Sequence, residues 1–189
     1  MDDRGTDMLA PMGLDRGAAV LLDSSAIICY LEGKGPARQA MEAIVDAAAG
    51  GLIGLRASAL VWTEILRAPL EAETGLAYRR FLSDSSLIVI GVVDVGVAEA
   101  AAGILAALDR GRSSPTHGAA KTNDPRAPRE AGRGGGRPSF FADALHLACA
   151  LQEGCAAVLT NDEAWVEAAP PGLRVILIDE LAAAFSMVE

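Results

Sequence analysis

Short apolar runs alternate with stretches of helical periodicity along almost the whole chain, and this order restricts the fold more than any other feature. Residues 19–22, 52–55, 87–90, 156–159 and 173–178 read as strands. Residues 25–31, 36–49, 72–82, 97–108 and 163–168 have helical spacing, and so does a last segment from about Asp179. Ser58 is placed to cap a helix carrying Glu64, and Ser139 one that reaches Glu153, with Gly154 to stop it. Pro36 suits a first helical turn and Gly50-Gly51 a stop. Pro69 ends the Glu64 helix or bends the chain after it. Strands that alternate with helices predict an α/β fold, a parallel sheet with helices on both faces.

Two regions interrupt the alternation. Residues 1–17 are polar, lack a clean period and read as a loose N-terminal tail, so the domain is expected to span 18–189. Residues 110–138 are rich in Gly, Pro, Ser and Arg and nearly free of large apolar side chains. Arg110, Arg112, Lys121, Arg126, Arg129, Arg133 and Arg137 outnumber Asp124 and Glu130, so the segment is basic in a chain of net charge −9. It has too little to bury to order itself, and reads as a disordered insertion in the domain.

The totals narrow the function classes. At 189 residues and 51% hydrophobic, the chain suits one domain with a sizeable core. Its acidity argues against a surface that binds polyanions all over, though not against a local basic patch or a bound metal. Cys29, Cys149 and Cys155 lie in apolar contexts and match no zinc spacing, with only His117 and His146 to help. They read as buried free thiols of a reducing compartment. No run approaches the roughly 20 apolar residues of a membrane span, and the acidic start lacks a basic secretory signal. The expectation is a soluble cytoplasmic protein.

Four carboxylates stand beside these apolar runs. Asp23 closes the first strand and Asp162 follows the fourth; Glu64 and Asp143 lie on helices, Asp143 near the start of its own. Ligands of open α/β sheets gather beyond the carboxyl ends of the strands, where Asp23 and Asp162 project. If all four converge there, they cannot all stay ionised without compensation, and a hard divalent cation supplies it. An all-oxygen ligand set favours Mg²⁺ or Mn²⁺. Such a cation supplies an attacking water and stabilises charge on phosphorus, which predicts phosphodiester hydrolysis.

Each residue also has a plainer reading. Asp23 could be a turn residue, Glu64 a solvated helix residue, Asp143 a partner of its helix dipole and Asp162 a cap for the helix at Glu163. His146 shares a side of its helix with Asp143 and could be a fifth ligand or proton donor; a hydrogen-bonded core or rim histidine is the simpler reading. Trp62 and Trp165 read as packing residues. A receiver-like phosphoacceptor module would also cluster acids around Mg²⁺, but it wants a late lysine and none follows Lys121. A dehalogenase-like phosphatase wants an acid where Ser25 stands.

The same positions resemble a known family. Leu22-Asp23-Ser24-Ser25-Ala26-Ile27-Ile28, Thr63-Glu64-Ile65-Leu66-Arg67, Ala142-Asp143-Ala144-Leu145-His146-Leu147-Ala148 and Leu159-Thr160-Asn161-Asp162 resemble, in order and spacing, the four acidic motifs of PIN-domain nucleases. In pattern and size the chain looks like the VapC-type toxins of toxin–antitoxin pairs. The resemblance implies a PIN-like three-layer sandwich and an Mg²⁺- or Mn²⁺-dependent endoribonuclease, often a dimer, silenced by a cognate antitoxin. It implies that Asp23, Glu64, Asp143 and Asp162 are the catalytic, metal-binding quartet, with Ser24, Ser25, Thr160 and Asn161 in support. A PIN nuclease of RNA processing outside such a pair, or a catalytically silent scaffold, would carry the same fold. The chain departs from the family in its basic insertion directly before Asp143. There Arg126, Arg129, Arg133 and Arg137 are candidates to track an RNA backbone.

Overall fold

A computed structural model describes residues 12–67, 70–112 and 140–186. In chain order the elements are β1 (Ala19–Leu22), α1 (Ser24–Glu32), α2 (Gly35–Ala49), β2 (Gly54–Ser58), α3 (Leu60–Leu66), α4 (Ala72–Ser83), β3 (Ile88–Gly91), α5 (Val95–Arg112), α6 (Phe140–Gln152), β4 (Ala157–Thr160), α7 (Ala164–Ala168), β5 (Arg174–Leu177) and α8 (Ile178–Ser186). All strand pairs are parallel, and the sheet order is β3-β2-β1-β4-β5. The expected α/β architecture, a parallel sheet between two helical layers, is what forms.

Burial explains why so short a run as β1 suffices. Val20, Leu21 and Leu22 are all fully buried, as strands covered on both faces must be. Val20 and Leu22 point to one core with Leu55, Leu159 and Ile176, covered by Ile27 of α1, Ile44 of α2 and Leu181 of α8. Leu21 and Val158 point to the other, where Val97 and Ile104 of α5 meet Leu147 and Ala148 of α6 and Trp165 of α7. The long alanine-rich helix thus packs within the chain.

The order of strands locates a crevice. From β1 the chain runs outward through β2 and β3, then crosses back to β4 on the other side of β1 and outward to β5. The direction of winding reverses between β1 and β4. Their carboxyl ends therefore diverge into separate connections and leave a cleft between them.

Three expectations are corrected. The second strand begins at Gly54, not Leu52. Leu52 N–H bonds back to the Ala47 carbonyl (2.9 Å), Gly51 takes φ +70°, and the ladder to β1 opens at Ala19↔Gly54. An apolar run reports burial, and here burial starts before pairing does. The helix α5 outlasts its apolar stretch and reaches Arg112. The segment read as a loose tail is packed over its described part. Met12 is 1% exposed, and Gly17 N–H bonds the Leu52 carbonyl at 2.7 Å. Residues 1–11, Pro69 and 113–139, with Ser139 and almost all of the basic insertion, lie outside the described residues.

The three cysteines are free. Burial first, then neighbouring acids such as Glu153, push the Cys149 thiol to about 11. Burial likewise takes Cys155 to about 12, so both are packing groups and not nucleophiles. Among the described residues no helix is long and apolar enough to cross a membrane.

Candidate functional site

Asp23 stands at the mouth of the cleft, where β1 turns into α1. Its N–H still bonds the Leu159 carbonyl of β4 (3.0 Å), so the sheet fixes its backbone. It is also the N-cap of α1, and Oδ1 accepts from Ser24 N–H at 2.7 Å. Oδ2 accepts from the Ser25 hydroxyl (2.8 Å) and the Thr160 hydroxyl (2.9 Å). Those hydroxyls are themselves oriented. Ser25 Oγ accepts from Asn161 N–H at 3.0 Å, and Thr160 Oγ1 from Asp162 N–H at 3.1 Å. Each hydroxyl thus turns its proton toward Asp23, which is only 7% exposed. The end of β4 holds a carboxylate delivered by the end of β1.

Asp143 lies in the first turn of α6. Burial, then the charges of Asp162 and Asp23, raise its pKa from 3.8 to about 6; His146 and a hydrogen bond from Trp165 offset this in part. The helix N-terminus favours a carboxylate here, but burial and repulsion win. The charges of Asp162 and Asp23 thus both act on Asp143. Asp162 is exposed, and its Oδ1 accepts from Ala164 N–H at 2.9 Å, so it does brace the start of α7 as its plainer reading supposed.

Glu64 comes from α3 on the opposite side. The His146 ring bonds it through Nε2 (3.0 Å to Glu64 Oε2), while Nδ1 meets the Ser58 hydroxyl at 2.8 Å. Burial raises the Glu64 pKa. His146, a hydrogen bond from Ser24 and the charge of Arg67 together outweigh it, so the group titrates below its ordinary value. One ligand atom from each of Asp23, Glu64 and His146 lies within 4.8 Å of the others, a grouping able to hold a metal ion. Asp143 and Asp162 are not part of that grouping; the charges of Asp162 and Asp23 both act on Asp143.

The sequence comparison decides the family. The PIN domain profile matches residues 20–170, most of the chain. The chain belongs to the PIN domain family. No curated protein matches it in a sequence comparison. Among solved structures it resembles a chain of VapBC2 from Rickettsia felis, bound to a DNA fragment from their promoter. The TM-score is 0.56 at 12% identity, over 84% of this chain and 98% of that one. It also resembles a chain of DNA-bound VapBC from Salmonella typhimurium, with TM-score 0.55 at 18% identity, over 85% and 98%. At such identities the likeness speaks for the fold. PIN domains are generally nucleases.

One residue of this PIN domain was misread from sequence. Ser58 ends β2 and does not cap α3: the N-cap position is Ala59, and Ser58 Oγ accepts from Leu60 N–H (3.2 Å) while meeting His146. His146, read most simply as a hydrogen-bonded core or rim histidine, is fully buried and hydrogen-bonded to Ser58 and Glu64. Its spacing from Asp143 was the available signal; the partner across the cleft had none. Among the supporting residues, Asn161 contributes its backbone N–H to Ser25. Arg126, Arg129, Arg133 and Arg137 lie outside the described residues.

Proposed function

We propose that the protein is a metal-dependent endoribonuclease, the toxin of a toxin–antitoxin pair, with Asp23, Glu64, Asp143 and Asp162 as its catalytic and metal-binding residues. The observation that carries this is the meeting of ligand atoms of Asp23, Glu64 and His146 within 4.8 Å at the topological switch of a PIN sheet, beside an Asp143 whose pKa burial and the charges of Asp162 and Asp23 raise to about 6. Repulsion of this kind is relieved by a hard cation. The donors are carboxylate oxygens, and these fit Mg²⁺ or Mn²⁺. When bound, the cation supplies Lewis acidity at phosphorus and a water activated for attack.

The chain's own residues do the rest. Ser24, Ser25 and Thr160 hold and aim the Asp23 carboxylate by giving it hydrogen bonds. Asp143 and Asp162 supply the negative wall that would repel a phosphodiester until a cation is held. Glu64, kept ionised by His146 and Ser24, closes the opposite side. RNA as substrate and an antitoxin as partner follow from the resemblance to VapC-type toxins, and the likeness to VapBC chains supports it.

The test is purified protein with labelled RNA, with Mg²⁺ or Mn²⁺ and with EDTA. Cleavage is expected only with the metal, and not from Asp23→Asn. Equal cleavage in EDTA would refute the metal assignment, and cleavage of single-stranded DNA but not RNA the substrate.

A further inference from the structure

We infer that His146 is a positioning residue for Glu64: through Nε2–H it aims that carboxylate into the cleft, with Ser58 fixing its tautomer. The inference rests on Glu64 belonging to the proposed nuclease site.

The proton positions follow from the partners. Glu64, as a carboxylate, can only accept, so the ring hydrogen sits on Nε2. A hydrogen on Nδ1 as well would leave the Ser58 proton without an acceptor in this arrangement, so Nδ1 is the lone pair and takes a donor. Ser58 Oγ already accepts from Leu60 N–H, so its own proton is free to point at Nδ1, 2.8 Å away. Every donor in the series Leu60 N–H, Ser58 O–H, His146 Nε2–H has an acceptor. Both ring nitrogens are thus satisfied in a place where His146 is 0% exposed.

The alternative makes His146 a ligand, because Nε2 is near both Asp23 and Glu64. A ligating Nε2 must give up its hydrogen. Nδ1 would then carry it and donate to Ser58, whose own proton would lose its acceptor. The bond to Glu64 would be lost as well. Buried groups left unpaired are costly, so the hydrogen-bond pattern favours Nε2–H over ligation.

The placement has a further consequence. His146 sits one turn after Asp143 on α6, and its ring lies against Trp165, centroids 5.8 Å apart. Trp165 also bonds Asp143. One rigid helix thus presents Asp143 and, three residues on, the group that aims Glu64 from α3. The two walls of the cleft are held in register by a ring that the bulk solvent does not reach.

Two side-chain amides separate aiming from packing. The Gln amide can reach the Nε2 position, and the Asn amide only the Nδ1 position. His146→Gln should retain RNA cleavage and Mn²⁺ affinity near those of the wild type. His146→Asn should lose about 10- to 100-fold in Mn²⁺ affinity by calorimetry or in kcat. Both variants break one ring contact, so their melting temperatures should be similar. Equal losses in the two variants would overturn the inference. In the metal-free wild type, ¹⁵N spectra of the ring should show hydrogen on Nε2, and added Mg²⁺ should leave it there. Hydrogen on Nδ1, or its transfer to Nδ1 on Mg²⁺ addition, would make His146 a ligand and overturn the aiming role. A wild type that shows the Nε2–H tautomer but neither binds Mn²⁺ nor cleaves RNA would instead defeat the nuclease reading.

Discussion

The two walls of the cleft treat a carboxylate in opposite ways. Asp23 receives hydrogen bonds from Ser24, Ser25 and Thr160 and is buried among donors. Asp143 has a hydrogen bond from Trp165, but burial and the charges of Asp162 and Asp23 push it to about 6. Donors on the first wall come from backbone and hydroxyls that the strand ends already carry. The second wall is built from a helix start and a loop, which bring more carboxylates than donors. Where donors are plentiful a negative charge is a fixed structural element. Where they are not, the charge is held in tension that a cation or a proton must relieve.

Charge removal should break this contrast most visibly. Asp23→Asn and Asp143→Asn should each lower RNA cleavage by at least about 100-fold, measured with Mn²⁺ at saturating RNA. Retention of activity by either would remove that wall from the site. Their stabilities should part. In EDTA near pH 7.5, Asp143→Asn should melt a few degrees above the wild type, because it deletes an unrelieved charge. Asp23→Asn should melt below it, because the amide nitrogen cannot accept from the surrounding donors.

The difference should also follow pH. Between the ordinary value of 3.8 and about 6, the native state binds more protons at Asp143 than the unfolded chain does. This group therefore makes the metal-free protein less stable as pH rises through that window, with no further loss above it. The advantage of Asp143→Asn should be full above pH 6 and shrink toward pH 4. An advantage independent of pH would assign the shift to packing.

Thr160→Ala tests the donor-rich wall. It removes one donor to Asp23 and leaves Asp162 N–H without its acceptor, so a loss of about 1–3 kcal/mol is expected by urea denaturation. Cleavage should fall less than in Asp23→Asn, since Ser24 and Ser25 still hold the carboxylate. The smallest effect should come from deleting residues 113–136, which carry almost no apolar side chains. The melting temperature should move by under about 2 °C. A large drop would mean that the basic insertion packs on the domain.

How much was legible varied with distance along the chain. Asp23 could be read because a strand end and a turn are local events, and Asp143 because its helix start is local too. The extent of β2 could not, because its first pair is chosen by β1 and not by its own apolar residues. Ser58 looked like a cap because caps are local, but its hydroxyl meets His146, 88 residues away. The role of Asp162 was readable only in half. Its bond to Ala164 is two residues long, whereas its effect on Asp143 crosses the loop between β4 and α7.

By itself, then, the order of residues determined the alternation of strands and helices, the oxygen chemistry of the acids and their position at the ends of elements. Those are properties of hydrophobic period and side-chain type, and they act over a few residues. Only the tertiary structure decided that β4 lies beside β1, that the Thr160 hydroxyl donates a hydrogen bond to Asp23, and that His146 stands between Ser58 and Glu64. Hydrogen bonds and charges act through space, and the pKa of Asp143 is set by groups that only folding brings near.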